Sequence, residues 1–207
     1  MRFGDILMTA ATQGSGTVPA SYDPDAQLWF DAVVTAGGTV SSTQKGYVNT
    51  LITALKAAGT WAKTVDMALM VAENSVQALV SLKQLRTGTA VNSPTFAASA
   101  GYTFNGTSNY IRTGLILNTH GLGLISAISV RFGAYQRNNT AQSTGSVMGT
   151  SNNSTFQMRL RPRTTTGPGS ISGGIQSSTV VSTITLPDSS LGMTAMQAAG
   201  TTTRVMD

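Results

Sequence analysis

Three arginines at alternate positions late in the chain are its clearest candidates for chemistry. They are Arg159, Arg161 and Arg163, and apolar residues alternate with them: Phe156, Met158 and Leu160. Because residues two apart lie on one face of a strand, a strand that continues through Pro162 presents the three guanidinium groups together. Pro162 itself marks an edge strand or a strand end. Guanidinium groups bind carboxylates, sulfates and phosphates through paired hydrogen bonds. The pattern therefore predicts either a face that meets solvent or a neighbouring subunit, which we favour, or a site for an acidic surface glycan.

The residues that hydrolytic or metal chemistry needs are missing from the same half of the chain. No Asp or Glu occurs from Asn92 to Pro187, whereas a glycosidase needs a pair of carboxylates and a calcium site is built largely from them. The one histidine, His120, stands in a predicted loop, and the chain has no cysteine, so a zinc site is not expected. The sequence predicts a non-enzymatic protein with no cofactor and no bound metal.

The charge of the chain is unevenly distributed. It carries 13 Lys and Arg against 8 Asp and Glu, and only 10% of its residues are charged. From Asn92 onward every Lys-or-Arg position is an arginine, and the acids are Asp188 and Asp207. A basic stripe without interleaved aromatic residues suits phosphate contact rather than base reading, so the sequence does not favour a nucleic-acid partner. No window approaches the roughly 20 apolar residues of a membrane span, so no membrane partner is expected.

The chain begins with a segment that has no regular periodicity and continues with a short helix. Residues 1–22 predict an extended arm that anchors the chain to another subunit. Asp23 and Pro24 then provide an N-cap and a first-turn proline for a helix from Asp25 to Ala36.

A second helix is predicted after Ser41 or Ser42 and ends at Gly59. Its apolar positions recur at helical spacing: Val48, Leu51, Ile52 and Leu55. Its polar residues are predicted to face solvent: Lys45, Asn49 and Lys56. A third helix is predicted from Thr60, with Trp61 in its core, and Val76 to Leu85 form either a last short helix or the first strand.

After Asn92 the pattern changes to alternation of apolar and polar residues. Short alternating segments separated by turn residues recur every 8 to 12 residues or so, which is typical of an antiparallel β-sandwich. One predicted strand runs from Ile128 to Tyr135 and another from Thr179 to Leu186. Met193 to Gln197 and Thr201 to Met206 are predicted to form a hairpin.

The stretch from Gly101 to Thr113 lies where the helical pattern gives way to alternation. Tyr102 and Phe104 share one face of a predicted strand, Asn105-Gly106 suits a tight turn, and Tyr110-Ile111 restart an extended segment. This order resembles the first strand and turn of laminin-G-like, or concanavalin-A-like, jelly-roll domains.

The preceding residues extend the resemblance. The segment Leu51 to Trp61, the pair Leu82-Lys83 and the segment Asn92 to Phe96 are similar to a helical region that precedes such a domain in structural proteins of tailed bacteriophages and prophages. The resemblance covers residues 25–204, approximately. It implies an α+β fold in which residues 1–22 are an arm, residues 23–91 a helical region and residues 92–207 a jelly-roll β-sandwich. Domains of this type continue for several more strands, so we expect either further residues or edge pairing by a neighbouring subunit.

The same resemblance implies a role. We expect a structural component of a phage particle, located in the head, the collar or a tail appendage, as a fibre or a decoration protein, and assembled in the host cytoplasm. Its expected partners are other virion proteins and further copies of itself, as a homotrimer by analogy. The alternative is a carbohydrate-binding module that recognises a host surface glycan, on a tail fibre or as a secreted adhesin.

Overall fold

The computed structural model describes residues 21–116, 130–137, 148–151, 157–161, 170–175, 182–185, 192–199 and 202–206. The chain divides into two compact units, Met1–Ile116 and Leu117–Asp207. Helices and small antiparallel sheets make the described residues an α+β fold. The predicted boundary between the helical region and the β-sandwich, at residues 91 and 92, falls within the first unit, because that unit extends to Ile116. The predicted arm, apart from residues 21 and 22, lies outside the described residues.

Three α-helices lie in the described part of the first unit, residues 21–116, and their ends follow the capping residues of the sequence. Helix α1 is Pro24–Thr35, α2 is Ser42–Ala57 and α3 is Ser75–Leu79. The side chains of Asp23, Ser41 and Asn74 each accept a hydrogen bond from a backbone N–H in the first turn, which satisfies a donor that the helix cannot pair itself. The first two helices are therefore as predicted. No helix in the described ranges has the length and apolar character needed to cross a bilayer.

The core of the first unit forms where α1 packs on α2 and on the segment after α3. It contains the predicted stripe of α2 and two neighbouring aromatic residues of α1, Trp29 and Phe30. The Trp29 side chain is fully buried, and its indole Nε1–H donates to the carbonyl oxygen of Val80 at 3.1 Å. Because this bond joins residues 51 positions apart, it fixes α1 against the chain that leaves α3.

The prediction of a third helix that starts at Thr60 is wrong. Only one 3₁₀ turn forms, Trp61–Lys63, and the helical conformation ends at Thr64, whose backbone is extended. Long-range bonds explain the difference: Leu82 donates its backbone N–H to the carbonyl of Met67, and Asp66 pairs with Arg86. These contacts hold residues after the turn against the segment that follows α3, which a continued helix would not allow. Trp61 is nevertheless in the core, as predicted.

The prediction that the polar residues of α2 face solvent is also wrong. Lys45, Asn49 and Lys56 are each half-buried. Lys45 lies 5.5 Å from the centre of the Phe30 ring, and the side-chain oxygen of Asn49 accepts the backbone N–H of Asp23 at 2.7 Å. These residues face α1, so the contact between the two helices is wider than the apolar stripe alone.

Four short strands follow the helices in residues 21–116. They are β1 (Thr89–Val91), β2 (Thr95–Ala97), β3 (Gly101–Thr103) and β4 (Tyr110–Arg112). The pairs are β2 with β3 and β1 with β4, both antiparallel. The predicted turn at Asn105-Gly106 therefore joins two strands that do not pair with each other.

Among the described residues of the second unit, seven strands form two antiparallel sheets. The strands are β5 (Val130–Gln136), β6 (Met148–Ser151), β7 (Gln157–Arg161), β8 (Ser170–Ile175), β9 (Ser182–Thr185), β10 (Gly192–Ala199) and β11 (Thr202–Met206). One sheet has the order β11-β10-β5 and the other the order β6-β7-β8-β9. The predicted hairpin is confirmed, since β10 and β11 pair up to Ala199 opposite Thr202. Strand β8 was not predicted, because its Ser- and Gly-rich sequence lacks an apolar alternation.

Candidate functional site

The arginine positions predicted as a site lie partly on β7. Arg159 stands opposite Gly149 of β6 and Gly174 of β8, and Arg161 stands opposite Ser172 of β8. The strand ends at Arg161, and it has a neighbour on each side. Pro162 therefore follows a strand end and does not mark an edge strand. Arg163 lies outside the described residues, so a single face with all three arginines stays a prediction.

The carboxylate groups of the first unit are the other side chains that could take part in catalysis or ligand binding. The most connected cluster joins the start of α1 to the end of α2. The ammonium group of Lys56 lies 2.6 Å from a carboxylate oxygen of Asp23 and 2.6 Å from one of Asp25. Trp61 donates its indole N–H to Asp25 at 2.8 Å, and the Lys83 ammonium group lies 4.2 Å from the centre of the Trp61 ring.

The contacts within this cluster favour the charged forms of Asp25 and Lys56. The hydrogen bond from Lys56 lowers the pKa of Asp25, and it outweighs the opposing effect of burial. Burial disfavours the charge on Lys56, but its bonds to Asp23 and Asp25 prevail and raise the pKa of Lys56. A carboxylate held ionised beside a cation is a poor proton donor at neutral pH. The cluster is therefore a helix clamp rather than an acid–base pair.

Another carboxylate, that of Glu73, links the N-terminal end of α2 to α3 through hydrogen bonds. Glu73 accepts hydrogen bonds from the hydroxyl and the backbone N–H of Ser41 and from the side-chain amide of Gln77. Burial acts to raise the pKa of Glu73, yet these hydrogen bonds lower it overall. Gln77 is itself completely buried, and the oxygen of its side-chain amide accepts the backbone N–H of Glu73 at 3.2 Å.

The last two described carboxylates are also bonded within the first unit. Asp66 pairs with the guanidinium group of Arg86, and Asp31 accepts the side-chain amide of Gln27 at 2.8 Å. In the part of the chain that the structure describes, no three His, Cys, Asp or Glu side chains come together as metal ligands would. Every described carboxylate is thus used to hold the fold.

The stretch after β3 forms a compact loop with an aromatic residue on either side. This loop, residues 105–109, is called the Asn105 loop below. The side-chain oxygen of Asn105 accepts the backbone N–H groups of Thr107, Ser108 and Asn109 at 3.0 to 3.2 Å. The backbone N–H of Asn105 donates to the side-chain oxygen of Asn109 at 2.7 Å. A single asparagine therefore organises the loop.

The aromatic residues beside the loop are partly exposed. The predicted shared face of Tyr102 and Phe104 is confirmed, because their rings stack with centroids 6.3 Å apart. Phe96, the cross-strand partner of Tyr102, contacts the Tyr102 ring edge-on at 5.0 Å. Phe104 remains 47% exposed, and Tyr110 at the other end of the loop is 45% exposed. The alternation of residues predicted the Tyr102 and Phe104 pair, but no sequence pattern indicated that Tyr110 is part of a surface.

Comparisons of the chain with protein-family models, with curated proteins and with solved structures find no match.

Proposed function

We propose that the chain is a non-enzymatic structural component of a tailed-bacteriophage particle, in which an α-helical region precedes a jelly-roll β-sandwich of the laminin-G-like type. Its partners are other virion proteins and further copies of itself, assembled as a homotrimer in the host cytoplasm. The position in the particle is the head, the collar or a tail appendage, where the chain serves as a fibre or a decoration protein.

The observation that carries this proposal is the use of the described carboxylates. All five acids of the described residues accept hydrogen bonds from within the first unit: Asp23, Asp25, Asp31, Asp66 and Glu73. Glycoside hydrolysis needs one carboxylate that donates a proton and another that attacks or activates water. Carboxylates fixed on cations and helix ends do not supply that pair. A scaffold, in contrast, gains stability from the same contacts.

The arrangement of arginine in the second unit supports assembly with other chains. Arg159 and Arg161 occupy an interior strand of a sheet, and no Asp or Glu lies between Asn92 and Pro187 to neutralise them. Arginine suits subunit interfaces because its planar group makes several hydrogen bonds with carbonyls and carboxylates. We expect carbonyl oxygens or acids of a neighbouring subunit to meet these positions.

Deletion of the coding sequence, with complementation in trans, tests the proposal. Without the chain, we expect particles that fail to assemble or that lack one component by electron microscopy. Complementation with the triple Gln variant of Arg159, Arg161 and Arg163 should reduce particle yield before it affects adsorption. Normal particles in normal yield without the chain would contradict the structural role. If particles of the triple variant assemble normally but no longer adsorb to host cells, the arginines bind a surface glycan and not a neighbouring subunit.

A second function, recognition of a surface carbohydrate, is favoured by one observation. The two half-exposed aromatic rings, Phe104 and Tyr110, flank a loop made only of uncharged polar residues and glycine. Sugar rings present an apolar face and a hydroxyl edge, and this surface offers both kinds of partner.

A further inference from the structure

The Asn105 loop and its flanking rings form a surface with fixed geometry. Phe104 stacks on Tyr102 through one side of its ring, and the hydroxyl of Tyr102 donates to the backbone carbonyl of Ser75 at 3.2 Å. At the loop itself, the side-chain amide of Asn92 donates to the carbonyl of Ser108 at 2.8 Å. These bonds hold the loop before any ligand arrives, so little conformational entropy would be lost on binding.

The loop also carries polar groups that the chain leaves unused. Within the described part of the chain, the Thr107 hydroxyl and the side-chain NH₂ of Asn109 make no hydrogen bond. Asn109 lies against the peptide that follows Phe104, because its oxygen accepts the Asn105 N–H. A hydroxyl and an amide beside an exposed ring are the combination that fixes a polar ligand on an apolar face.

A cation without a carboxylate partner completes the surface. Arg112 is exposed, and its guanidinium group donates to the Tyr110 hydroxyl at 3.1 Å. Among the described residues it has no ion pair, whereas Arg86 of the same unit pairs with Asp66. An exposed guanidinium group held by a tyrosine can donate paired hydrogen bonds to a carboxylate or sulfate. The surface is therefore complementary to a ligand with negative charge.

We propose that the Asn105 loop, with Phe104, Tyr110 and Arg112, binds an acidic saccharide. The sugar ring stacks on the exposed side of Phe104, its hydroxyl groups bond to Thr107 and Asn109, and its carboxylate or sulfate group pairs with Arg112. This inference deepens the carbohydrate-recognition function, and it does not depend on where the chain sits in a particle.

A saccharide fits this surface better than a single-stranded nucleic acid does. Stacking alone would suit either ligand, but nucleic-acid binding draws on several phosphate contacts along a basic groove. The described surface around the loop provides one unpaired guanidinium group, Arg112. One cation beside hydroxyl and amide groups matches a sugar that carries one acidic group.

The test uses the full chain and an array of bacterial polysaccharides of known composition, in which some carry uronic, sialic or sulfate groups and others are neutral. We expect the chain to bind members of the acidic group. Phe104→Ala should weaken that binding by at least about fivefold, as loss of a stacking ring does. Arg112→Gln should weaken it and reduce its dependence on salt. Tyr47→Ala is the matched control, because Tyr47 is an aromatic residue of the same unit, is 45% exposed against 47% for Phe104, and lies on α2.

Circular dichroism shows that each variant is folded before binding is compared. Binding to no polysaccharide overturns the inference, and so does equal binding to neutral and acidic ones. An equal loss in Tyr47→Ala and Phe104→Ala would also overturn it, because the loop would then have no special role. Preferential binding to a single-stranded oligonucleotide would overturn the inference and show that the ligand of this surface is a nucleic acid. None of these results changes the expected presence of the chain in particles, so the two proposals fail separately.

Discussion

The two tryptophans of the first unit allow a matched comparison of the forces that hold it. Both are buried, and each donates one indole hydrogen bond. The acceptor of Trp29 is the carbonyl oxygen of Val80 in the buried core, whereas the acceptor of Trp61 is the partly exposed carboxylate of Asp25. Replacement of either tryptophan by phenylalanine removes a similar volume and the same donor. The two variants therefore differ mainly in the fate of the acceptor.

The expected costs follow from that difference. In Trp29→Phe the buried Val80 carbonyl loses its indole donor, which costs about 1–3 kcal/mol, and the smaller ring leaves a cavity worth about 1 kcal/mol. In Trp61→Phe the Asp25 carboxylate keeps its bond to Lys56 and can be reached by water. The lost bond then costs only about 1 kcal/mol beyond a similar cavity. We expect Trp29→Phe to destabilise the first unit by about 2–4 kcal/mol and Trp61→Phe by about 2 kcal/mol, at the lower end of that range.

Urea unfolding of the full chain measures both costs. The described helices and both tryptophans of the chain belong to the first unit, so circular dichroism at the helix minimum and the remaining tryptophan fluorescence both report on that unit. Linear extrapolation then gives the free energy of unfolding. Equal losses, or a larger loss in Trp61→Phe, would refute the reasoning about the Val80 carbonyl.

Three further outcomes are expected. Asn105→Ala removes the acceptor of three backbone N–H groups in an exposed loop, so it should speed hydrogen exchange there while changing global stability by less than about 1 kcal/mol; unchanged exchange would contradict the bracing role. The folded-state pKa values of Asp25 and Glu73 lie below their ordinary values of 3.8 and 4.5, so their stabilisation is present above those values and is lost as pH falls through the folded values. The free energy of unfolding should therefore decrease as the solution is acidified below pH 4.5, and Glu73→Gln should reduce that decrease; an identical acid profile in the variant would count against the Ser41 contact. Residues 1–22, the predicted arm, should be protected from limited proteolysis only in assembled particles, and equal cleavage of free and assembled chain would exclude an anchor.

The helix ends were predictable because their signals are local. Asp23 with Pro24, and Ser41 before α2, act on backbone groups within one turn, so the sequence is enough to locate α1 and α2. The signals that end the two helices are equally local, because Gly37 and Gly59 follow them and take the positive φ values that suit glycine.

The errors of prediction came from contacts between distant residues. Nothing near Trp61 in the sequence indicates that Asp66 meets Arg86 or that Leu82 bonds to Met67, and these contacts replace the expected third helix. The pairing of β4 with β1 rather than β3 is another long-range choice, which no turn signal at Asn105 can reveal. The importance of Trp29 was likewise hidden, because its partner, Val80, lies 51 residues away.

The candidate site was predictable only in part. The alternation at Tyr102 and Phe104 predicted their shared face, and the ring stacking confirms it. The exposure of Phe104 depends on how β3 ends, and the role of Arg112 depends on its bond to Tyr110. Neither property is encoded in the spacing of these residues.

The most direct test of the proposed structural role is the fate of the chain when encoding cells lyse. Lysates separated on a density gradient would be analysed by quantitative mass spectrometry against a major capsid protein. We predict that the chain sediments with intact particles at a fixed copy number, in a multiple of three. A chain found only in the soluble fraction, with none in the particle band, would contradict the account.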